Sequence, residues 1–258
     1  MKPRYASIIV LLSSVVAVAG YFGLGEPAQP KPSTTHIQVV VPVPPLRSVL
    51  NAFIDQSKVQ VESLVAPGGD VHHVHLSPSQ LRRLKTADIA IPEMAEGDPH
   101  IWLALNGVRG FALHIAGQLD PKSQAAVQSF LAARATWLAQ QQDRFVPLQG
   151  VPFIVDHDAF QGFESDLGLQ GKLGALTTGH DQAIGAKSLR TLRAKAAGKR
   201  VCVLHRPGAD IERLATLLEG IDLTFMEADP LLWNDPSYAN GMTRLADAFY
   251  ACLSEATP

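Results

Sequence analysis

Apolar and polar residues change their spacing repeatedly along this chain from His36 onward. Short runs rich in β-branched residues, typical of buried strands, alternate with stretches whose apolar residues recur at helical spacing. The strand-like runs are IQVVVPV, VQVESLV, DIAI, VPFIV, KLGAL, RVCVL and LTFME. The helical stretches are Leu46 to Gln56, Pro78 to Lys85, Pro121 to Phe145, a segment from Ala159, Ala186 to Ala197, Ile211 to Leu218 and a segment from Tyr238. The pattern predicts parallel sheets flanked by helices.

The longest helical stretch, Pro121 to Phe145, contains no Gly and no internal Pro. It separates two groups of alternating strands and helices. We therefore predict an α/β fold with two lobes, each a mostly parallel sheet flanked by helices, joined by one long rigid helix. The predicted domains are an N-terminal lobe (36–120), the linking helix (121–146) and a C-terminal lobe (147–258). Loops at the strand ends would converge on a cleft between the lobes, where such folds place their ligands.

The first residues have the composition of an export signal. Lys2 and Arg4 precede an apolar run from Ala6 to Gly20, in which Ala17-Val18-Ala19 supplies a small-x-small cleavage pattern. The apolar character continues to Leu24, so residues 1–25 are either a signal or an uncleaved membrane anchor. Residues 26–35 are Pro-rich and polar, which predicts an extended tether.

Composition and charge exclude some partners. The 258 residues are 47% hydrophobic and 18% charged, as in ordinary globular proteins. A net charge of -2 predicts no basic surface for nucleic acid or anionic lipid. The two cysteines, Cys202 and Cys252, would meet an oxidising compartment after export, where an even pair tends to close. Two buried free thiols are the alternative.

Several of the nine histidines stand at the ends of predicted strands or just before helices. His72, His73 and His75 lie in PGGDVHHVHLSP, His100 in GDPHIWL and His157 in VPFIVDHDAF, while Asp229 lies in FMEADPL. Three imidazoles and one carboxylate form a ligand set that suits zinc, with Asp98, Asp156 and Asp158 as outer-shell acceptors for the imidazole N–H groups. Each histidine taken alone is better explained as a hydrogen-bonded loop residue.

The order of these motifs adds a more specific signal. The stretches VESLVAPGGDVHHVHLSPSQLRRLKTADI, DPHIWL, VPFIVDHDAF and ADPL resemble, in sequence order, those of the zinc-specific solute-binding proteins of bacterial ABC importers (cluster A-I). The resemblance implies metal-ligand roles for His72, His100 and His157, with Asp229 as a candidate fourth ligand. It also implies a disulfide between Cys202 and Cys252, since some zinc-binding members have one there. Manganese-binding relatives usually carry a glutamate at the position of His157, which favours zinc.

The function implied by the resemblance is that of a periplasmic receptor and not of an enzyme. Such a receptor captures Zn²⁺ in the cleft between its lobes and delivers it to an inner-membrane ABC permease. We expect it to act as a monomer. A periplasmic zinc chaperone or sensor without a permease is the first alternative. A zinc-dependent hydrolase, in which three histidines leave one coordination position open for water, is the second.

The chain departs from the family pattern at two places. Only residues 92–97 separate DIAI from DPHIWL, where the family has a further helical segment and often a His-rich loop. This shortening leaves open how His100 reaches the cleft. Ala104 and Leu105 follow DPHIWL, where relatives often continue with Asp-Pro.

The remaining histidines are outside the family pattern. His73 or His75 could replace or supplement His72. His180 and His205 are expected at the surface, although either could bind a second metal. His114 lies within a helical apolar pattern and is expected to be packed.

Overall fold

The structure, a computed structural model, describes residues 36–65, 76–91, 100–177, 183–233, 235 and 237–257. The predicted export segment and tether lie outside these ranges. The same is true of four predicted or alternative site residues and one outer-shell candidate, which are His72, His73, His75, His180 and Asp98. Within the described ranges, no helix combines the length and the hydrophobicity needed to cross a bilayer.

The N-terminal half contains a three-stranded parallel sheet in the order β2-β1-β3. Its strands are β1 (Ile37–Val41), β2 (Val59–Ser63) and β3 (Ile89–Ala90). Its helices are α1 (Pro44–Asn51), α2 (Pro78–Thr86) and α3 (Leu105–Ala116). Helix α2 begins with a capping box, in which the Ser77 hydroxyl accepts from the Gln80 amide and the Gln80 side chain accepts from the Ser77 amide.

The C-terminal half contains a four-stranded parallel sheet in the order β5-β4-β6-β7. Its strands are β4 (Phe153–His157), β5 (Lys172–Thr177), β6 (Arg200–His205) and β7 (Asp222–Glu227). Its helices are α5 (Gln161–Leu167), α6 (Ala186–Ala196), α7 (Ile211–Leu217) and α8 (Tyr238–Glu255). Two parallel sheets flanked by helices confirm the predicted fold class.

Strand β4 is central in its sheet and buried along its whole length. Because side chains alternate along a strand, Phe153 and Val155 face the large core shared with the N-terminal half, whereas Ile154 faces a smaller core formed with α6 and α7. A strand covered on both faces needs a continuous apolar run, which the sequence VPFIV supplies.

Helix α4 (Pro121–Phe145) has the predicted bounds and connects the two halves. The Asp120 carboxylate caps its start by accepting from the amides of Lys122 at 2.8 Å and Ser123 at 3.3 Å. Along its length α4 packs against α3 of the N-terminal half and against α5 and α8 of the C-terminal half.

Three local predictions were wrong. Helix α1 ends at Asn51 and not at Gln56, because the amides of Phe53 and Ile54 both turn back to the Leu50 carbonyl. Helix α5 begins two residues after Ala159, since the Ala159 amide donates to the His157 carbonyl at 2.9 Å in a tight turn. His114 is exposed on α3, where its ring lies 3.2 Å from the Gln118 side-chain amide, and is not packed.

The predicted disulfide is present. Cys202 on β6 and Cys252 on α8 are bonded, with their Cα atoms 5.4 Å apart and both residues fully buried. The bond attaches the C-terminal helix to the centre of the second sheet. In the chain-entropy model, a cross-link that closes a loop of this size stabilises the fold by about 4 kcal/mol.

A buried chain of hydrogen bonds joins the two halves to α4. The Trp102 indole N–H donates to the Pro230 carbonyl at 2.7 Å, and the Tyr238 hydroxyl donates to the Trp102 carbonyl at 2.7 Å. Arg134 of α4 in turn donates through Nε to the Tyr238 hydroxyl at 3.3 Å. Burial raises the pKa of Tyr238, which keeps its phenol protonated as a donor. We call these contacts the Trp102 clamp.

Replacing Tyr238 with Phe should destabilise the protein, because the Trp102 carbonyl and Arg134 Nε lose a hydrogen-bond partner in a buried place. We expect a loss of about 1–3 kcal/mol in the free energy of unfolding, measured by chemical denaturation. Tyr250→Phe is the matched control, since the Tyr250 hydroxyl makes no hydrogen bond among the described residues and its ring packs on Phe145. Equal losses in the two variants would contradict a role for the clamp.

Candidate functional site

His157 is the last residue of β4 and is 2% exposed. The strand carries it to the carboxyl end of the second sheet, the edge at which parallel α/β sheets place ligand groups. The neighbouring strand ends beside it, with Thr177 of β5 as its register partner. The sequence therefore fixes the position of this imidazole through the strand that precedes it.

His100 comes from the other half of the chain and is also 2% exposed. It directly precedes a 3₁₀ turn, Ile101–Leu103, and its carbonyl accepts from the Leu103 amide at 3.0 Å. The edge of the Trp102 ring system lies against it, with ring centroids 5.4 Å apart. Since the Trp102 clamp attaches that indole to the C-terminal half, the clamp also determines where His100 lies.

The two imidazoles meet. Their ring centroids are 5.6 Å apart and their planes are inclined by 76°. Two imidazoles that bind one zinc tetrahedrally, with Zn–N distances of about 2 Å, have ring centres about 5 Å apart. The short 92–97 segment therefore does not keep His100 from the cleft, and the pair has a spacing suited to one shared ion.

The residues that replace the usual Asp-Pro dock the N-terminal half onto α5. The Leu105 amide donates to Asp166 Oδ2 at 2.6 Å. Gly162 lies so close to Ala104 that an added Cβ would be 2.7 Å from the Ala104 Cβ. Small residues at both positions permit this approach, which holds the segment after His100 against the second lobe.

Asp229 organises the turn that accepts the Trp102 indole. Its Oδ1 accepts from the Leu231 amide at 2.8 Å and its Oδ2 accepts from the Trp233 amide at 2.7 Å. The turn also holds Leu232 at a φ of 51°, a left-handed conformation that costs a non-glycine residue about 1 kcal/mol or more. Each carboxylate oxygen keeps further lone pairs, so the role of Asp229 as a metal ligand stays a prediction.

Within the described residues, no three His, Cys, Asp or Glu side chains form a group that could hold a metal ion. The structure thus brings together two of the four predicted ligands, His100 and His157. The third predicted ligand, His72, and the alternatives His73 and His75 lie outside the described residues.

Thr177 is a site residue that the sequence analysis missed. Its hydroxyl donates to the Asp156 carbonyl at 2.8 Å, and its oxygen lies 3.4 Å from Nδ1 of His157. Because the hydroxyl proton is committed to the carbonyl, the oxygen can only accept from Nδ1–H. With the ring neutral, this contact favours the tautomer that carries its proton on Nδ1.

The two aspartates beside His157 form ion pairs with basic side chains. Asp156 is 3% exposed and its Oδ2 lies 3.4 Å from Arg206 Nε. Burial raises the pKa of Asp156 above its ordinary value, although Arg206 opposes this. For these two residues, the predicted hydrogen bond to an imidazole N–H was wrong, because within the described part of the chain neither carboxylate makes one to His157.

Asp158 belongs to a second ion cluster. Its Oδ1 lies 2.7 Å from Lys172 Nζ, which also reaches Glu164 Oε1 at 2.8 Å. Burial alone would raise the pKa of Asp158, but the hydrogen bond and charge of Lys172 outweigh it and hold the pKa below its usual value. Both aspartates therefore anchor the end of β4 through ion pairs.

Proteins with similar sequences function in zinc uptake. Over 170 residues the chain is 28% identical to the high-affinity zinc uptake system protein ZnuA of Yersinia pestis, which covers 61% of this chain and 53% of that protein. The chain thus spans about half the length of the curated relatives it matches.

Solved structures share the fold. The laminin-binding adhesin Lmb of Streptococcus agalactiae superposes with a TM-score of 0.72 at 13% identity, covering 84% of this chain and 99% of that chain. A crystal structure of ZnuA superposes with a TM-score of 0.69 at 21% identity, with the same coverage of 84% and 99%. In both the likeness extends over nearly the whole of the solved chain.

A family model agrees with these relatives. The model described as zinc-uptake complex component A periplasmic, ZnuA, matches residues 92–252. Its members are solute-binding receptors and not enzymes, as predicted for this chain. Because the matched residues include His100 and His157 and make up more than half of the sequence, the chain belongs to the ZnuA family of periplasmic zinc-uptake components.

Proposed function

We propose that this protein is a periplasmic zinc receptor that captures Zn²⁺ between its two lobes and delivers it to an inner-membrane ABC permease. His100 and His157 would bind the ion, with His72 and Asp229 as the further ligands. The observation that carries the proposal is the buried pair of imidazoles, 5.6 Å apart, contributed by opposite halves of the chain.

The chemistry of the pair favours zinc over harder cations. Imidazole nitrogen suits zinc, whereas manganese and magnesium prefer oxygen ligands. Two neutral imidazole rings leave the 2+ charge of the ion uncompensated. The Asp229 carboxylate would supply part of the missing negative charge. The carboxylates nearest to His157 in sequence are already paired with Arg206 and Lys172.

Capture and release follow from the placement of the ligands. His100 lies in the N-terminal half and His157 in the C-terminal half, so a small change in the angle between the lobes would alter the distance between the imidazoles. Helix α4, which has no internal Gly or Pro, would limit that change. Acidification should also promote release, because a protonated imidazole cannot coordinate a metal.

His100→Ala and His157→Ala should each lower the zinc affinity about 100-fold or more, since four ligands together contribute about 10–16 kcal/mol to such sites. Competition with a fluorescent chelator, using metal-free purified protein, would measure this. His114→Ala is the control, because that ring is exposed on α3, and it should change the affinity less than twofold. Unchanged zinc affinity in both ligand variants would refute the proposed site.

Delivery to a permease needs a separate test. In cells that lack their own periplasmic zinc receptor but retain the permease, this protein should restore growth under zinc limitation, and His157→Ala should not. If the protein binds zinc but restores no growth, a chaperone or sensor role would replace the receptor role.

Thr177→Val should lower the zinc affinity about 10–100-fold, because His157 loses the acceptor that holds its proton on Nδ1. Thr177→Ser keeps the hydroxyl and should bind nearly as well as the original protein. Nitrogen NMR of the metal-free protein provides a second measurement, in which the His157 ring should lose its preference for the Nδ1–H form only in the Val variant. Equal tautomer populations in the Val and Ser variants would contradict the role of Thr177.

A further inference from the structure

Helix α6 and the turn after it carry a concentrated positive charge. Residues 186–200 contain six basic residues and no acidic one, which are Lys187, Arg190, Arg193, Lys195, Lys199 and Arg200. The prediction of no basic surface, made from the net charge of -2, was wrong because the acidic residues lie elsewhere along the chain. A local field of this kind acts on partners within a Debye length, irrespective of the net charge.

Most of these cations point outward. Leu192 and Ala196 are buried against the second sheet and define the inner side of α6. Arg190 and Lys195 follow Lys187 by three and eight positions, which places all three within an arc of about 140° on the opposite side. All three side chains are exposed.

Among the residues that the structure describes, two of the six cations have partners. Arg193 donates to the carbonyls of Leu217 and Thr216 at the end of α7, and Arg200 lies 4.0 Å from Asp222. The remaining four, Lys187, Arg190, Lys195 and Lys199, form no ion pair within the described part of the chain. Like charges on one helix face repel each other. These basic residues therefore do not stabilise the folded chain through their charge interactions with one another. We call these four residues the α6 basic face.

We propose that the α6 basic face docks the protein on an anionic lipid membrane. The outward positions of the helix also include Ser188, Thr191 and Ala194, and they contain no aromatic or large apolar residue. Protein–protein interfaces are usually depleted in Lys and contain aromatic anchors at their centre. The composition of this face therefore does not indicate a binding site for another protein. Clusters of four or more basic residues on or beside an amphipathic helix attract acidic lipid headgroups. Three residues of this face lie on α6 and the fourth, Lys199, lies in the turn after it.

The docking surface is separate from the imidazole pair. Helix α6 covers the side of the second sheet that faces the smaller core, whereas Phe153 and Val155 of the His157 strand face the large core on the other side. Membrane binding through α6 would therefore leave His100 and His157 uncovered. The inference does not depend on the proposed function, and it predicts that lipid binding and zinc binding respond to different substitutions.

Flotation with lipid vesicles tests the inference on the full-length chain. Vesicles of phosphatidylcholine with about 30% phosphatidylglycerol are compared with phosphatidylcholine alone, so that any insertion of the N-terminal apolar run is measured on the neutral vesicles. The original protein should bind the anionic vesicles at least tenfold better, and this preference should weaken as salt rises from about 50 to 200 mM.

One variant replaces the four residues of the α6 basic face by Gln. Its affinity for anionic vesicles should be at least tenfold lower than that of the original protein, and its zinc affinity should be unchanged. The matched control replaces four exposed basic residues on other elements by Gln, which are Arg82, Lys85, Arg109 and Lys122. It changes the net charge equally and should bind as the original does. Thermal unfolding of both variants verifies that each is folded.

Three results would overturn the inference. The first is equal binding of the original protein to anionic and neutral vesicles, which would leave an acidic protein as the occupant of this face. The second is an equal loss in the α6 variant and the control, which would make the net charge the cause. The third is undiminished vesicle binding by the α6 variant.

Discussion

The Trp102 clamp is the interaction on which the rest of the site depends. Trp102 donates its indole N–H to Pro230 and accepts from Tyr238 at its carbonyl, and both bonds are 2.7 Å long and buried. A buried polar group that loses its partner costs about 1–3 kcal/mol, so the clamp opposes all but small changes in the angle between the two halves. His100 lies two residues before this fixed point and therefore has little freedom to move away from His157.

Most of the fold could be predicted because helix starts, helix breakers and apolar runs are determined by residues that are close together in sequence. The Pro at the first turn and the absence of internal breakers gave helix α4 its bounds, and the Ser77–Gln80 spacing gave the start of α2. Apolar runs located every strand of both sheets. The errors arose where a tertiary constraint ends or delays a helix. Ala159 is held in a turn by the His157 carbonyl, and apolar spacing does not contain that information.

Less of the site than of the fold could be predicted from the sequence. Motif order brought His100 and His157 into consideration, but contacts between residues far apart in sequence, such as those of the clamp, place them together. Thr177 had no signal of its own, because its role depends on the register between β4 and β5. The direction in which Asp156 points follows from strand alternation, which puts it on the opposite side of the sheet from His157 and next to Arg206.

The ion pairs of Asp156 and Asp158 bear on the chemistry of the proposed site. A carboxylate facing the imidazoles would add charge to the ligand set and strengthen the binding of any dication, including those that prefer oxygen. Asp156 and Asp158 instead form ion pairs with Arg206 and Lys172, so their charges stabilise the end of β4. His157 itself contacts the neutral hydroxyl of Thr177, while the nearby Asp158 adds a negative charge. If His100 and His157 hold the ion as proposed, their nitrogens would favour zinc over cations that prefer oxygen.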